Sequence, residues 1–448
     1  MKTVLEKKLT YKEAVAYLDQ FQFHGFRLGL ERMEAILDAL DGPHHHYPSV
    51  HVAGTNGKGS TCAFLSSILV EAGYKTGLYT SPHLFSLTER FKINHENIAE
   101  NELAKLIYEI KTLIEKGYEL SYFEYTTAIA MLWFAREKVD IALFETGLGG
   151  RLDATNVIDP EISIITNISL DHQSYLGATV KEIAWEKAGI IKPEKPVVSG
   201  VKAPPASEVV KKRCEELDAQ LFLLGRDFFA QSVDILHMDY TGLGTEMKKV
   251  PLGLLGSHQA QNGALAAAAS ELLAKRGWTI GGYAMKRGLA TPYWPGRGEL
   301  LEGKHVVLLD GAHNLDGVKR LKELLAGLEG LGIPNREASR LLLWACSNEG
   351  RDKDFFGMLK ELAPLFGEIV ITEPPGPRNP VEIDDWKTYL PKIINNTRLE
   401  KDWQTALLRT MELCKPDDLL CIAGSLYLVG SVREKLIEQG FRIWHSRS

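Results

Sequence analysis

The segment Ser49-Val-His-Val-Ala-Gly-Thr-Asn-Gly-Lys-Gly-Ser-Thr61 opens as a short apolar run, Ser49–Ala53, and turns at Gly54 into a loop carrying three glycines and a lysine. The residues behind it, Thr61–Ala72, have a helical pattern that stops at Gly73. In a strand, Gly-rich loop and helix placed in this order, backbone N–H groups aim at phosphate oxygens, and the helix N-terminus adds the positive end of its dipole. Lys58 then brings a point charge to the β- and γ-phosphates. Gly54, Thr55, Asn56, Gly57, Lys58, Gly59 and Ser60 are therefore read as a nucleotide phosphate site. The spacing departs from the common pattern: Val52 stands where its first Gly belongs, and Gly59 follows Lys58 where Ser or Thr is expected.

Outward from this loop the chain alternates strands and helices. Thr10 with Glu13 fits a capping box opening a helix through Phe21, and Leu30–Leu40 is helical. Thr76–Thr80, Asp140–Phe144 and Glu161–Thr166 suit a buried parallel sheet, with helices at Glu102–Lys116, Tyr125–Lys138, Val180–Ala188 and an Ala-rich stretch, Ser257–Gly277. Thr291-Pro-Tyr-Trp-Pro-Gly-Arg-Gly298 breaks the pattern. Beyond it strands at His305–Leu309, Leu341–Ala345, Glu368–Thr372 and Leu419–Ala423 alternate with helices at Val318–Leu328 and Leu426–Gln439. The reading is α/β throughout, with a nucleotide-binding domain over residues 1–295 and a smaller α/β domain over 296–448.

Composition sets the outer limits. The 448 residues carry 58 acidic and 52 basic side chains, a formal charge of −6, which argues against nucleic-acid binding through a basic surface. No apolar run reaches the ~18 residues of a membrane span, and Met1–Lys8 has no apolar core behind it, so it does not read as a secretory signal. Cys62, Cys214, Cys346, Cys414 and Cys421 are scattered and form no CxxC pair, so they read as reduced and buried, in a cytoplasmic protein. His44-His45-His46, flanked by Pro43 and Pro48, reads as a solvated loop; Trp133, Phe134, Trp185 and Trp278 read mostly as core.

Further polar residues stand just past strands, where ligands of open parallel sheets bind. Ser81 follows the second strand, Glu145 ends Asp140–Phe144, and Asp171-His172 follows Ile164–Ile168. Ser81, Glu145 and His172 would give O, O and N ligands to a Mg²⁺ bridging phosphates; taken singly, Glu145 also suits a turn cap and His172 a structural role. In the second domain Val306–Leu309 runs into Asp310-Gly-Ala-His313-Asn314, either reactive groups facing a cleft or a turn with an Asx cap.

The ordered set Gly54–Ser60, Ser81-Pro-His-Leu84, Glu89-Arg90, Phe123-Glu124, Glu145-Thr-Gly-Leu-Gly-Gly-Arg-Leu-Asp-Ala-Thr-Asn156, Leu170-Asp-His172, Glu186-Lys-Ala-Gly-Ile-Ile-Lys192, His258-Gln259, Pro295-Gly-Arg297, Asp310–Asn314 and Gly424–Gly430 resembles folylpolyglutamate synthase/dihydrofolate synthase, a family of the Mur ligase superfamily. The resemblance spans nearly the whole chain, from Gly29 to Gly430. It implies an N-terminal P-loop domain and a C-terminal Rossmann-like domain with the active site between them. It implies ATP and two Mg²⁺ ions, L-glutamate, a folate or dihydropteroate as acceptor, an acyl phosphate, and a monomer. By the same resemblance Ser81, Glu145 and His172 are metal ligands, and Lys187 matches a lysine that can carry a carbamate and hold a second Mg²⁺; a cation reaching a phosphate and a surface lysine are the alternatives. Asn262 and Arg297 become nucleotide contacts, and Asp310 and His313 lie at the phosphate site and its approach. Asn94 is followed by His95 where the family's pterin-proximal segment usually has Gly.

Two rivals are weighed. A Mur ligase acting on a UDP-linked precursor carries a further N-terminal domain, and 53 residues before Gly54 are too few for one. A nucleotide-dependent switch needs the phosphate loop but not the Asp310/His313 pair, and no Asn-Lys-x-Asp segment is present.

Overall fold

The computed structural model describes residues 9–24, 29–334, 338–347, 354–390 and 396–444. Met1–Lys8 lies outside the described residues. Eight strands build the first sheet: β1 (Ser49–Ala53), β2 (Thr76–Tyr79), β3 (Phe91–Ile93), β4 (Glu96–Asn97), β5 (Ile141–Glu145), β6 (Ile162–Ile165), β7 (Val197–Ser199) and β8 (Leu221–Leu223). Their order is β4-β3-β2-β5-β1-β6-β7-β8. Five neighbouring pairs from β2 to β8 are parallel, and the β2–β3–β4 edge is antiparallel. From β1 the chain crosses toward β2, and from β6 it crosses the other way toward β7. The switch point therefore falls between β1 and β6, and a ligand crevice opens beyond their carboxyl ends.

β9 (Phe229–Ser232), β10 (His237–Thr241) and β11 (Glu246–Pro251) form a small antiparallel sheet. A further sheet holds β12 (Arg297–Glu302), β13 (Val306–Asp310), β14 (Arg340–Trp344), β15 (Glu368–Ile371), β16 (Thr397–Leu399), β17 (Leu419–Ala423) and β18 (Arg442–Ile443). Its order is β16-β15-β14-β17-β13-β12-β18, parallel from β16 to β13, with β12 antiparallel to both neighbours. The two-part α/β architecture expected from the sequence is present. β1, β17 and the helix Val180–Ala188 have the expected bounds.

Differences have local causes. The helix after the phosphate loop begins at Lys58 rather than Thr61, because the left-handed Gly57 (φ 81°) ends the loop and lets Lys58, Gly59 and Ser60 form the first turn. Strands β9–β11 were not expected: β11 buries only Met247 and Val250, so it shows no continuous apolar run. Trp185 is 46% exposed on the outer face of its helix, under the Arg213 guanidinium, so it is not core; Trp133 and Phe134 are buried. His45 and His46 are exposed, as a solvated loop requires, but His44 is half-buried against the His45 ring, so the triplet is solvated only in part. All five cysteines are buried and unpaired. No helix among the described residues is long and apolar enough to cross a membrane.

The Ala-rich helix, Gln259–Lys275, packs beside Lys58–Glu71 in one apolar layer with Met238, Tyr240, Met247 and Val250 of the small sheet. A third helix, Gly282–Ala290, comes closest at Gly288, where an added Cβ would stand 2.4 Å from the Ile68 backbone. Backbone cannot yield as a side-chain tip does. Gly288→Ala is expected to lower stability by about 1–3 kcal/mol, read as a reduced denaturant midpoint, through misalignment of the helix that carries Lys58.

Candidate active site

The phosphate loop is bolted to the segment after β6. Thr55 N–H donates to the Asn167 carbonyl (2.9 Å) and Asn56 N–H to the Asn167 side-chain oxygen (2.8 Å). Thr55 Oγ1 donates to the Ser169 carbonyl and accepts from Ser169 N–H. These bonds occupy the Thr55 hydroxyl, whose part in the site is to hold the loop's shape. A Cβ at Gly54 would lie 1.9 Å from Thr166 Oγ1, and one at Gly57 2.4 Å from Asn262 Oδ1. Gly59 is covered by the Trp294 indole at 2.5 Å from the same construction. At its three glycines the loop is thus a bare-backbone cradle with no room for a Cβ, and Gly57 caps the following helix without a side-chain bond. Such a cradle fits the phosphates of a nucleotide. Lys58 Nζ curls into it, donating to the Gly54 and Thr55 carbonyls (3.1 and 3.2 Å).

Glu145 ends β5 beside this loop and is 5% exposed. Burial raises its pKa, and the Lys58 charge opposes that rise. One backbone donor, Ser81 N–H at 3.3 Å, reaches its carboxylate, so Ser81 and Glu145 are brought together. A buried carboxylate held by one long hydrogen bond suits a hard cation, and the Ser81 hydroxyl adds an oxygen donor. His172, in the left-handed region (φ 51°), follows Asp171 on the segment that clamps the loop, with its side chain 35% exposed. Among the described residues no three His, Cys, Asp or Glu side chains cluster as a ready-made metal site.

Lys187 comes from the helix Val180–Ala188, whose N-terminus is fixed by a Thr179–Glu182 capping box. It is 4% exposed, and its Nζ donates to the Gly54 carbonyl at 2.8 Å. Burial, with Lys58 repulsion second, pulls its pKa down to about 7, partly offset by Asp171 and Asp153. The helix does turn this lysine back to the strand ends.

The second sheet reaches the same place. Asn314 Nδ2 donates to Asn56 Oδ1 (3.1 Å) and to Asp171 (2.9 Å), and Asn56 Nδ2 donates to Asp316 (2.8 Å). Asn314 also caps the helix Leu315–Gly330 through Gly317 N–H. The Asn56 amide thus spans to the second sheet, and its phosphate-side contribution is its backbone. His313 Nδ1 donates to the Gly311 carbonyl at 2.7 Å, which leaves Nε2 as the other face of the ring. Asp310 accepts Gly298 N–H (2.8 Å) and Ala312 N–H (2.9 Å), so both oxygens order turns, in line with the Asx-cap alternative. Arg297 pairs in register with Asp310, and its charge is felt by Asp310 and Glu145. Asn262 donates to Gln259 and packs on Gly57. Sequence reading passed over Asn167 and left Asn314 without a role; a polar residue just past β6 or β13 was the available signal.

A bare-backbone cradle at a switch point, closed by turns of another α/β sheet, defines a two-part nucleotide-dependent enzyme. The Mur ligase middle domain matches residues 52–270, which sets its class as a ligase. The dihydrofolate synthase/folylpolyglutamate synthase of Bacillus subtilis is 34% identical, over 95% of this chain and 99% of that protein. A solved FPGS-AMPPCP-folate complex superposes with a TM-score of 0.81 at 32% identity, covering 96% of this chain and all of that one. An Escherichia coli FolC structure in complex with DHPP and ADP gives 0.84 at 29% identity, with 96% and 100% covered. The chain belongs to the folylpolyglutamate synthase/dihydrofolate synthase family.

Proposed function

We propose that the chain uses ATP to join the amine of L-glutamate to a carboxylate of a folate, with dihydropteroate as a further acceptor. The acceptor carboxylate attacks the γ-phosphorus, ADP leaves, and the acyl phosphate is attacked by the amine, releasing phosphate and a proton. A carboxylate is a poor electrophile, and bringing it to a phosphate joins two anions, so the site must supply positive charge. Lys58 supplies it from the cradle. Mg²⁺ held by Ser81, Glu145 and His172, with a second ion at a carbamylated Lys187, would add charge screening. Asn262 and Arg297 contact the nucleotide, Asp310 orders the turns that present Arg297 and His313, and His313 faces the approach to the phosphates.

The observation that carries this reading is the Asn314 amide, bonded at once to Asn56 of the phosphate loop and to Asp171. It places the His313 turn against the cradle, which suits two coupled transfers; a switch has no need of it. The division at 295/296 into a nucleotide unit and a smaller closing unit belongs to the same reading. So do a monomer and a cytoplasmic location, the latter supported by five buried, unpaired cysteines. Sustained ADP release, followed by coupled assay, is expected only when folate and L-glutamate are both present, folate alone giving at most one ADP per site; release independent of both would identify a switch instead. Competition between dihydropteroate and tetrahydrofolate separates the acceptors.

A further inference from the structure

A cavity of about 850 Å³ lies where the β3–β4 hairpin, the Pro82–Glu89 loop and the linker at Tyr293 meet the helix Leu426–Glu438. Lys92 is on its wall, 6% exposed, and among the described residues its ammonium makes no hydrogen bond or ion pair. It lies over the Tyr293 ring, 5.7 Å from the centroid, and the Glu89 and Glu96 carboxylates act on it as charges without an ion pair to it. A buried ammonium with no anion in hydrogen-bond reach is unfavourable, so the position favours a ligand that brings one. The other charges on the wall are differently placed. Arg433 is held by both oxygens of Glu299 and by Tyr293 Oη. Glu89 is taken up by the N–H groups of Leu84, Phe85 and Ser86. Arg297 belongs to the phosphate end. Glu96 and Glu438 line its exposed part and Glu434 is half-buried; Glu438 pairs with Lys435 on its own helix (3.7 Å), and Glu96 is felt by Lys92 without an ion pair.

We propose that Lys92 is the subsite for one carboxylate of the acceptor's γ-glutamyl tail, and that Glu96, Glu434 and Glu438 limit how many further glutamates the cavity admits. The proposal rests on the reading of the chain as a folate–glutamate ligase. Every added glutamate leaves one more α-carboxylate on the tail. One unpaired ammonium answers one such group; the next meets carboxylates at the mouth. The cavity thus selects short tails by charge rather than by size.

The test compares acceptors bearing one and three γ-linked glutamates. Lys92→Gln is expected to raise their KM about tenfold, as expected for a lost charge-assisted hydrogen bond, while kcat and the KM for ATP stay within twofold. Lys92→Arg should restore binding, and Lys92→Met, which keeps the apolar stem, should behave as Lys92→Gln. Glu434→Gln combined with Glu438→Gln should lengthen the products seen by mass spectrometry. A KM shift below twofold in both neutral variants, or an equal shift for ATP, overturns the subsite; products of unchanged length overturn the gate. Calorimetric titration with pteroyltriglutamate reads the same contact without turnover. Lys92-dependent binding in a protein that makes no glutamyl product would sink the ligase reading and keep the subsite. Normal turnover with Lys92-independent binding, or no binding at all, would sink the subsite.

Discussion

Lys58→Ala is expected to lower kcat about 10³-fold in a protein that still folds. The magnitude follows from removing a preorganised cation from the point where charge builds as the phosphoryl group moves. The fold should survive because, among the described residues, Lys58 Nζ bonds to the Gly54 and Thr55 carbonyls of its own loop and to no other group. Three groups around it feel the change differently. Glu145 loses the charge that opposes its burial, so its pKa should rise further. Lys187 loses a repelling neighbour, so its pKa should move back up. Thr55, Asn56 and Asn167 keep their clamp, so ATP binding should weaken far less than turnover falls. A folded Lys58→Ala protein with near-normal kcat would remove Lys58 from the reaction.

What the sequence made legible was whatever one segment decides alone. β1 is five buried residues followed by a glycine loop, and the helix bearing Lys187 announces itself by Thr179 and Glu182 in a capping box. The order of motifs set Ser81 beside Glu145 because parallel strands deliver their carboxyl ends to one edge, and the capped helix carries Lys187 back to Gly54. Asn56 shows where this stops. Its neighbours in sequence suggest a phosphate contact, yet its amide is used by Asn314 and Asp316, more than 250 residues away, and no local pattern encodes that. Asp310 is the converse: a reactive-looking carboxylate whose oxygens both hold backbone turns. Lys92 carried no signal at all, since only the tertiary structure buries its ammonium without an ion pair among the described residues. The small sheet was hidden for another reason: strands buried on one face, with lysine and glutamate on the other, look like loop in an apolar-run reading.

Lys187→Ala is expected to be almost inactive, and the reason separates two chemistries. As an ammonium, Lys187 would repel a Mg²⁺ held at Glu145; as a neutral amine it can add to CO₂, forming an N–C bond, losing a proton and becoming an anionic carbamate with hard oxygens. Burial that brings its pKa to about 7 keeps a large fraction of the amine neutral near physiological pH. The Gly54 carbonyl at 2.8 Å suits either form, because a carbamate keeps one N–H to donate. The sign for stability follows. Between about pH 7 and 10 the unfolded chain holds a proton that the folded lysine releases, so this group makes the protein more stable as pH rises through that window. Lys187→Arg removes the carbamate and keeps the cation, because a guanidinium stays charged and does not take up CO₂ in this way. On the carbamate reading the Arg variant is as inactive as the Ala variant, and millimolar acetate or formate (of about that order, since a loose anion replaces a tethered one) partly rescues only the latter. A carbonyl resonance appearing in the wild-type protein with ¹³C-labelled CO₂, and absent from Lys187→Ala, reads the modification without turnover. Full activity in Lys187→Arg, or no labelled resonance in the wild type, would leave Lys187 as a plain cation bracing the phosphate loop through Gly54.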